Sequence, residues 1–190
     1  MKMISGRNST SILALMLIAV AVLACNLFNE TDKANKLVDE GNTAVLDAKK
    51  FATEADEKRQ EMMNALPDVK SEAEPTAARS LAKDVIAAYD KVRAKFNEAA
   101  NKYDEASKLK INEKFKEYLT LKAKEYKTRA EVMEAAKGTP EGLIDSSGPA
   151  MFMTKAKESD AKVAKLLKEA EDLAAQADKI QKANKDVFKS

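Results

Sequence analysis

The chain has 190 residues, 34% of them charged and 5% aromatic, with five glycines, four prolines, no tryptophan and no histidine. Without imidazole there is no Ser-His-Asp or Cys-His nucleophile pair, no HExxH zinc site and no Glu-x-x-His di-iron pair, so no enzymatic activity is expected. The formal charge of +2 is that of Lys2 and Arg7, in a stretch of 24 residues without an acid; the rest is neutral, and no nucleic-acid partner is expected.

In chain order, Lys2 and Arg7 precede thirteen uninterrupted apolar residues, 12–24, which end at Cys25, the single cysteine. As a helix those thirteen residues measure roughly 20 Å, short of the roughly 30 Å hydrocarbon core of a bilayer. A basic start, an apolar run and a small residue at the cut point mark a secretory signal over residues 1–24. Val22-Leu23-Ala24-Cys25 resembles the lipobox of bacterial lipoproteins, with a branched aliphatic three positions before the cysteine and Ala immediately before it. Leu23 stands where that class more often carries a small residue. The resemblance spans the first 25 residues and carries no information on the fold beyond.

That resemblance implies cleavage before Cys25, a thioether-linked diacylglycerol on its sulfur, and a further acyl chain, such as palmitate, on the new amino terminus. No other cofactor is expected. Each buried methylene contributes about 0.8 kcal/mol and one chain binds only marginally, so two or three are needed for a lasting anchor. It also implies a place in the cell envelope. In a diderm cell Asn26, where an Asp would favour inner-membrane retention, points to the outer membrane, facing the periplasm or the cell surface; in a monoderm cell the site is the outer face of the cell membrane. An ordinary signal peptide cut nearby would instead leave Cys25 as a free thiol.

Residues 25–29 read as a short lipidated tether and 30–190 as a helical domain. The composition, rich in Ala, Glu, Lys and Leu, belongs to long helices. The expected fold class is all-α, an elongated antiparallel helical bundle of four long helices, or three if the middle two are fused. The first run, about 30–65, carries Ala34, Val38, Gly41, Val45, Ala48, Ala52, Ala55, Met62 and Leu66 at three-four spacing, with Leu37 and Phe51 beside them. Most are small, which predicts close helix approach rather than a thick core. Pro67 ends this run, and Pro75 suits the first turn of the next.

The second stripe is Ala78, Leu81, Val85, Ala88, Val92, Phe96, Ala99, Tyr103 and Ala106; the third is Ile111, Phe115, Leu119, Ala123, Tyr126, Ala130 and Met133. The five-residue step from Ala106 to Ile111 rotates the stripe by about 140°. A turn over 107–112 with Asn112 as helix cap is favoured, although no Gly or Pro marks it. Lys137-Gly138 reads as a helix C-cap, and 138–149 as the longest loop. Pro149 opens a last helix reaching about Phe188. Its apolar positions are Phe152, Ala156, Ser159, Val163, Leu166, Leu167, Ala170, Leu173, Ala174, Ala177, Ile180 and Val187. Pairs such as Glu54/Lys58, Glu125/Arg129 and Glu158/Lys162 are assigned to the solvated faces.

No GxGxxG or GxxxxGK[ST] phosphate cradle is present. Met151 and Met153 form an M-x-M pair of the kind that suits soft Cu(I), given a third thioether from Met133 or from Met62/Met63. Flexible methionines that close the irregular end of a bundle explain them more simply, and no metal site is assigned. Phe188-Lys189-Ser190 bears only a loose resemblance to the terminal lysine of Braun-type lipoproteins. The expected function is that of a non-catalytic, membrane-anchored envelope lipoprotein, with a structural role or one in protein-protein interaction, its partner an envelope protein or its own copies. The alternatives are an envelope module binding a soft metal or a small apolar ligand, and a holdase-like periplasmic chaperone.

Overall fold

The computed structural model describes residues 9–66, 76–145 and 148–188, with side chains from Glu30 onward; every regular element among them is helical. They are α1 (Ser9–Asn64), α2 (Thr76–Ser107), α3 (Glu113–Ala136), α4 (Gly138–Asp145), α5 (Pro149–Ala183) and a closing 3-10 turn (Lys185–Phe188). Lys2, Arg7, Pro67, Pro75, Lys189, Ser190 and the Cys25 side chain lie outside the described residues. The backbone of α1 is helical through 25–29 and on into the body of the domain.

The phase break does divide the middle of the chain. α2 stops at Ser107, and Asn112 caps α3 by accepting the Lys114 amide at 2.8 Å. Without Gly or Pro, the turn is closed by the backbone itself and by Glu30: Leu109 donates to Ala106 at 3.3 Å, Ile111 to Leu109 at 3.0 Å, and the Lys110 amide to the Glu30 carboxylate at 2.6 Å.

Successive long helices run antiparallel. Lys102 pairs with Glu40 at 2.7 Å and Lys95 with Asp47 at 3.2 Å, so numbers rise along α1 as they fall along α2. The same holds for α2 and α3, joined by the stacked rings of Tyr103 and Tyr126 and by Lys137 against Asp90. In α3 and α5 the two ends are marked by the Ser159 hydroxyl on the Ala135 carbonyl at 2.8 Å and by Phe188 edge-on to Phe115.

The lateral order is α1, α2, α3, α5. Among the described residues no Cα of α1 comes within 8 Å of α3 or α5, so the first and last long helices do not close the ring, while α4 bridges α2 and α5. α2, contacted on two sides, therefore buries more of its surface than a single stripe predicts. Ala82, Tyr89 and Ala100 are buried beside the predicted positions, whereas Leu81 is only half-buried.

Two apolar clusters fill the body. One joins Ala34, Ala44 and Val45 to Tyr103, Phe115, Leu119 and Tyr126 near the α2–α3 turn. The other joins Ala55, Met62, Ala78, Val85 and Tyr89 to Leu143 and Phe152 at the opposite end. Along α1 every seventh residue, Ala34, Gly41, Ala48, Ala55 and Met62, is buried. Small side chains there let the two axes approach. A Cβ on Gly41 would sit 3.1 Å from the Tyr103 ring.

Three expectations are corrected. The segment 138–149 is not a long loop, because Gly138–Asp145 forms α4. The helix end expected at Lys137-Gly138 is there, since α3 stops at Ala136 with Lys137 as its C-cap; Lys137 keeps right-handed backbone angles (φ −63°, ψ −23°) and no described glycine has positive φ, so α3 ends without a left-handed cap. Gly138 and Gly142 instead stand one helical turn apart and admit α5: added Cβ atoms would lie 3.2 Å from the Ser159 Cβ and 2.9 Å from the Lys155 Cβ. Glu125 does not belong to a solvated face. It is 3% exposed, on the side of α3 that carries Thr128, Val132 and Ala135 and turns toward α5. The apolar face of α5 is only partly inside: Phe152, Ser159, Ala170 and Ala177 are buried, Val163, Leu166, Leu173 and Ile180 are half-buried, and Leu167 is exposed.

Candidate functional site

Cys25, the predicted attachment point, lies in α1 five residues before Glu30, whose carboxylate holds the Lys110 amide at 2.6 Å. This bond places the entry of α1 into the body at the end formed by the α2–α3 turn. The 3-10 turn returns to the same end, where Phe188 packs edge-on to Tyr118 at 5.0 Å and to Phe115 at 5.5 Å. The 3-10 turn and the entry of α1 thus share one end of the body.

Aromatic packing makes this end rigid. Tyr103 stacks on Tyr126 at 5.4 Å, Tyr126 on Phe96 at 6.1 Å, and the Tyr103 hydroxyl donates to Asn42 Oδ1 at 2.6 Å. Burial, reinforced by neighbouring Tyr126, pushes the Tyr103 hydroxyl well above its ordinary pKa; burial does the same for Tyr118. Neither phenol is activated for chemistry near neutrality. Lys122 lies 4.6 Å from the Tyr126 ring centroid and 2.6 Å from Glu125, which also accepts from Arg129 at 2.9 Å. Burial opposes charge on Lys122, yet the hydrogen bond to Glu125 and the charge interactions with the Tyr126 phenol group and the Glu125 carboxylate outweigh it and hold its pKa up. The buried acid is thus neutralised within its own helix.

At the opposite end Met151 and Met153 are 48% and 52% exposed and flank the buried Phe152. Two residues apart on α5, their side chains project about 160° apart around its axis, so the helix does not converge them on one ion. Met62 is buried, Met63 is 42% exposed and Met133 packs half-buried against the same apolar cluster as Phe152. Among the described residues no group of three or more Cys, Asp or Glu is placed to hold a metal.

A second polar network links α2 to the end of α3. Lys137 bridges Glu134 at 2.7 Å and Asp90 at 3.2 Å, and Arg93 pairs with both acids. Hydrogen bonding from Lys137 holds the Glu134 carboxyl below its ordinary range. Beside it is an open hollow of about 410 Å³ among α3, α4 and α5, bordered by Glu134, Glu141, Asp145, Lys155, Glu158 and Lys162. A smaller one, about 130 Å³, lies between α1 and α2. Both are lined largely by charged side chains, a poor fit for an apolar ligand. Every fully buried side-chain N or O among the described residues has a hydrogen-bond partner.

Sequence reasoning missed the buried Glu125 triad and the close contact of α4 with α5. The i, i+4 spacing of Gly138 and Gly142 was the available signal for the contact. For Glu125 there was none, since Glu125/Arg129 has the spacing of any exposed helical pair. No family model matches the chain, and no curated protein or solved structure is found to be similar to it.

Proposed function

We propose that this chain is an envelope lipoprotein, anchored through lipid on Cys25, whose helical body acts by protein-protein contact without catalysis. The carrying observation is Val22-Leu23-Ala24-Cys25 at the end of the apolar run, with the single cysteine in that position. The open lateral order of the helices supports a contact role. α1 and α5 are outer helices that do not meet, and α5 presents Val163, Leu166, Leu173 and Ile180 half-buried. Its partner is another envelope protein or a second copy, and restriction to one membrane raises the effective concentration of either.

The test is to replace the anchor. Cys25→Ala blocks lipid attachment, so palmitate labelling is lost and precursor accumulates. Labelling and processing equal to the parent would overturn the proposal. A second reading, capture of a soft metal ion, rests on the exposure of Met63, Met151 and Met153. Cu(I) titration of the parent, Met151→Leu and Met153→Leu decides it, and absence of methionine-dependent binding ends it.

A further inference from the structure

We infer that the end of the body formed by the α2–α3 turn and the C-terminal 3-10 turn rests on the bilayer that carries the anchor, with Leu109, Ile111, Val187 and Phe188 at the headgroup boundary. The inference rests on the lipid attachment proposed above. It adds which surface faces the membrane and which end is left free for a partner.

The tether sets the distance. From Cys25 to Glu30 the chain spans about 7.5 Å if helical and at most about 18 Å if extended. Glu30 is bonded to the Lys110 amide at 2.6 Å, so the turn travels with the anchor. A lipidated sulfur at the membrane surface therefore leaves this end little room to stand away from the headgroups.

The chemistry of the end suits that place. Leu109, Ile111, Val187 and Phe188 are half-buried against the Tyr103 cluster, leaving part of each side chain at the surface. Around them Lys108, Lys110, Lys114 and Lys185 are exposed. Lysines bordering apolar groups can lay their stems on the acyl boundary and keep their ammonium groups at headgroup level. Acids are interleaved, Lys108 pairing with Asp104 at 2.6 Å and Lys114 with Glu117 at 2.8 Å. Contact thus depends on the lipid anchor and the apolar fringe more than on net charge. Met151, Met153 and α4 lie at the far end of the body, which then faces away from the membrane.

The chain has no tryptophan, so a single one reports its own depth. Full-length lipidated protein carrying Ile111→Trp or Met151→Trp is reconstituted into phosphatidylethanolamine/phosphatidylglycerol vesicles with and without brominated acyl chains. Emission from Ile111→Trp should fall at least about two-fold on bromination, the result expected within 5–10 Å of the acyl boundary, while Met151→Trp is unchanged. Lys110→Trp, at an exposed side chain on the same turn, gives the same readout if Ile111→Trp does not fold. Vesicle-bound protein with no quenching at either 110 or 111, or with equal quenching at 151, overturns the docking while the anchor stands. Failure of the parent to float with vesicles overturns the anchor itself.

Discussion

The two outer helices are seated by opposite means. α1 meets α2 along the small residues Ala34, Gly41, Ala48 and Ala55 at seven-residue intervals, all buried, with Gly41 against the ring of Tyr103. α5 meets α3 through Ser159, Ala170 and Ala177, and its larger aliphatics stay at the margin of the contact. In both, the smallest side chains mark the line of closest approach. Aliphatic size alone is thus a poor guide to burial. Leu119, on α3 between α2 and α5, is fully buried, whereas Leu167, on the outer helix α5, is 38% exposed.

The same substitution at those two leucines gives the largest contrast. Leu119→Ala should cost about 3 kcal/mol in urea unfolding, through lost apolar contact and the cavity left behind. Leu167→Ala should stay within about 0.5 kcal/mol. Equal costs would show that α5 is covered by something other than α3. Next is Gly41→Val, expected to cost about 2 kcal/mol because its Cβ alone comes 3.1 Å from Tyr103 Cε2 and its methyl groups add to the crowding. A neutral result would mean that the α1–α2 spacing is set elsewhere.

Glu125→Ala follows, at about 1–2 kcal/mol. It strips the acid from Lys122 and Arg129, but those cations, 15% and 31% exposed, can still reach water, so the loss falls below that of a fully buried pair. Breaking the exposed Lys114–Glu117 pair should cost at most about 0.5 kcal/mol, and a double-mutant cycle separates the two cases.

The smallest effect should be that of pH near neutrality. With no histidine to titrate, melting temperature should be flat from about pH 6 to about pH 9. The raised pKa values of buried Tyr103 and Tyr89 and half-buried Tyr118 give stability that is full below their unfolded value of about 10 and lost as pH rises through the folded values. The lowered values of Glu40 and Glu134 give stability present above about pH 4.5 and lost as pH falls through the folded values. A melting step near pH 7 would contradict these assignments.

The four long helices and their directions were legible because they follow from period and phase, whereas the short α4 was not. The five-residue step at Ala106–Ile111 is visible in one dimension, and so is the capping role of Asn112. What a helix packs against is not. Ala82, Tyr89 and Ala100 lie off the single stripe read on α2 and are buried because a second neighbour covers them. Glycine near proline suggested a loop over 138–149, yet Gly138 and Gly142 serve close approach in α4. Cys25 is proposed from the sequence pattern alone; that Glu30 ties its end of α1 to the α2–α3 turn depends on a contact 80 residues apart in sequence.

The proposed function depends on the lipid on Cys25. Mass spectrometry of the N-terminal peptide of the membrane-extracted protein should find a chain beginning at Cys25 with diacylglycerol on its sulfur and, where the host acylates the amine, a third chain. A mature terminus at any other residue, or an unmodified Cys25 thiol, would contradict it.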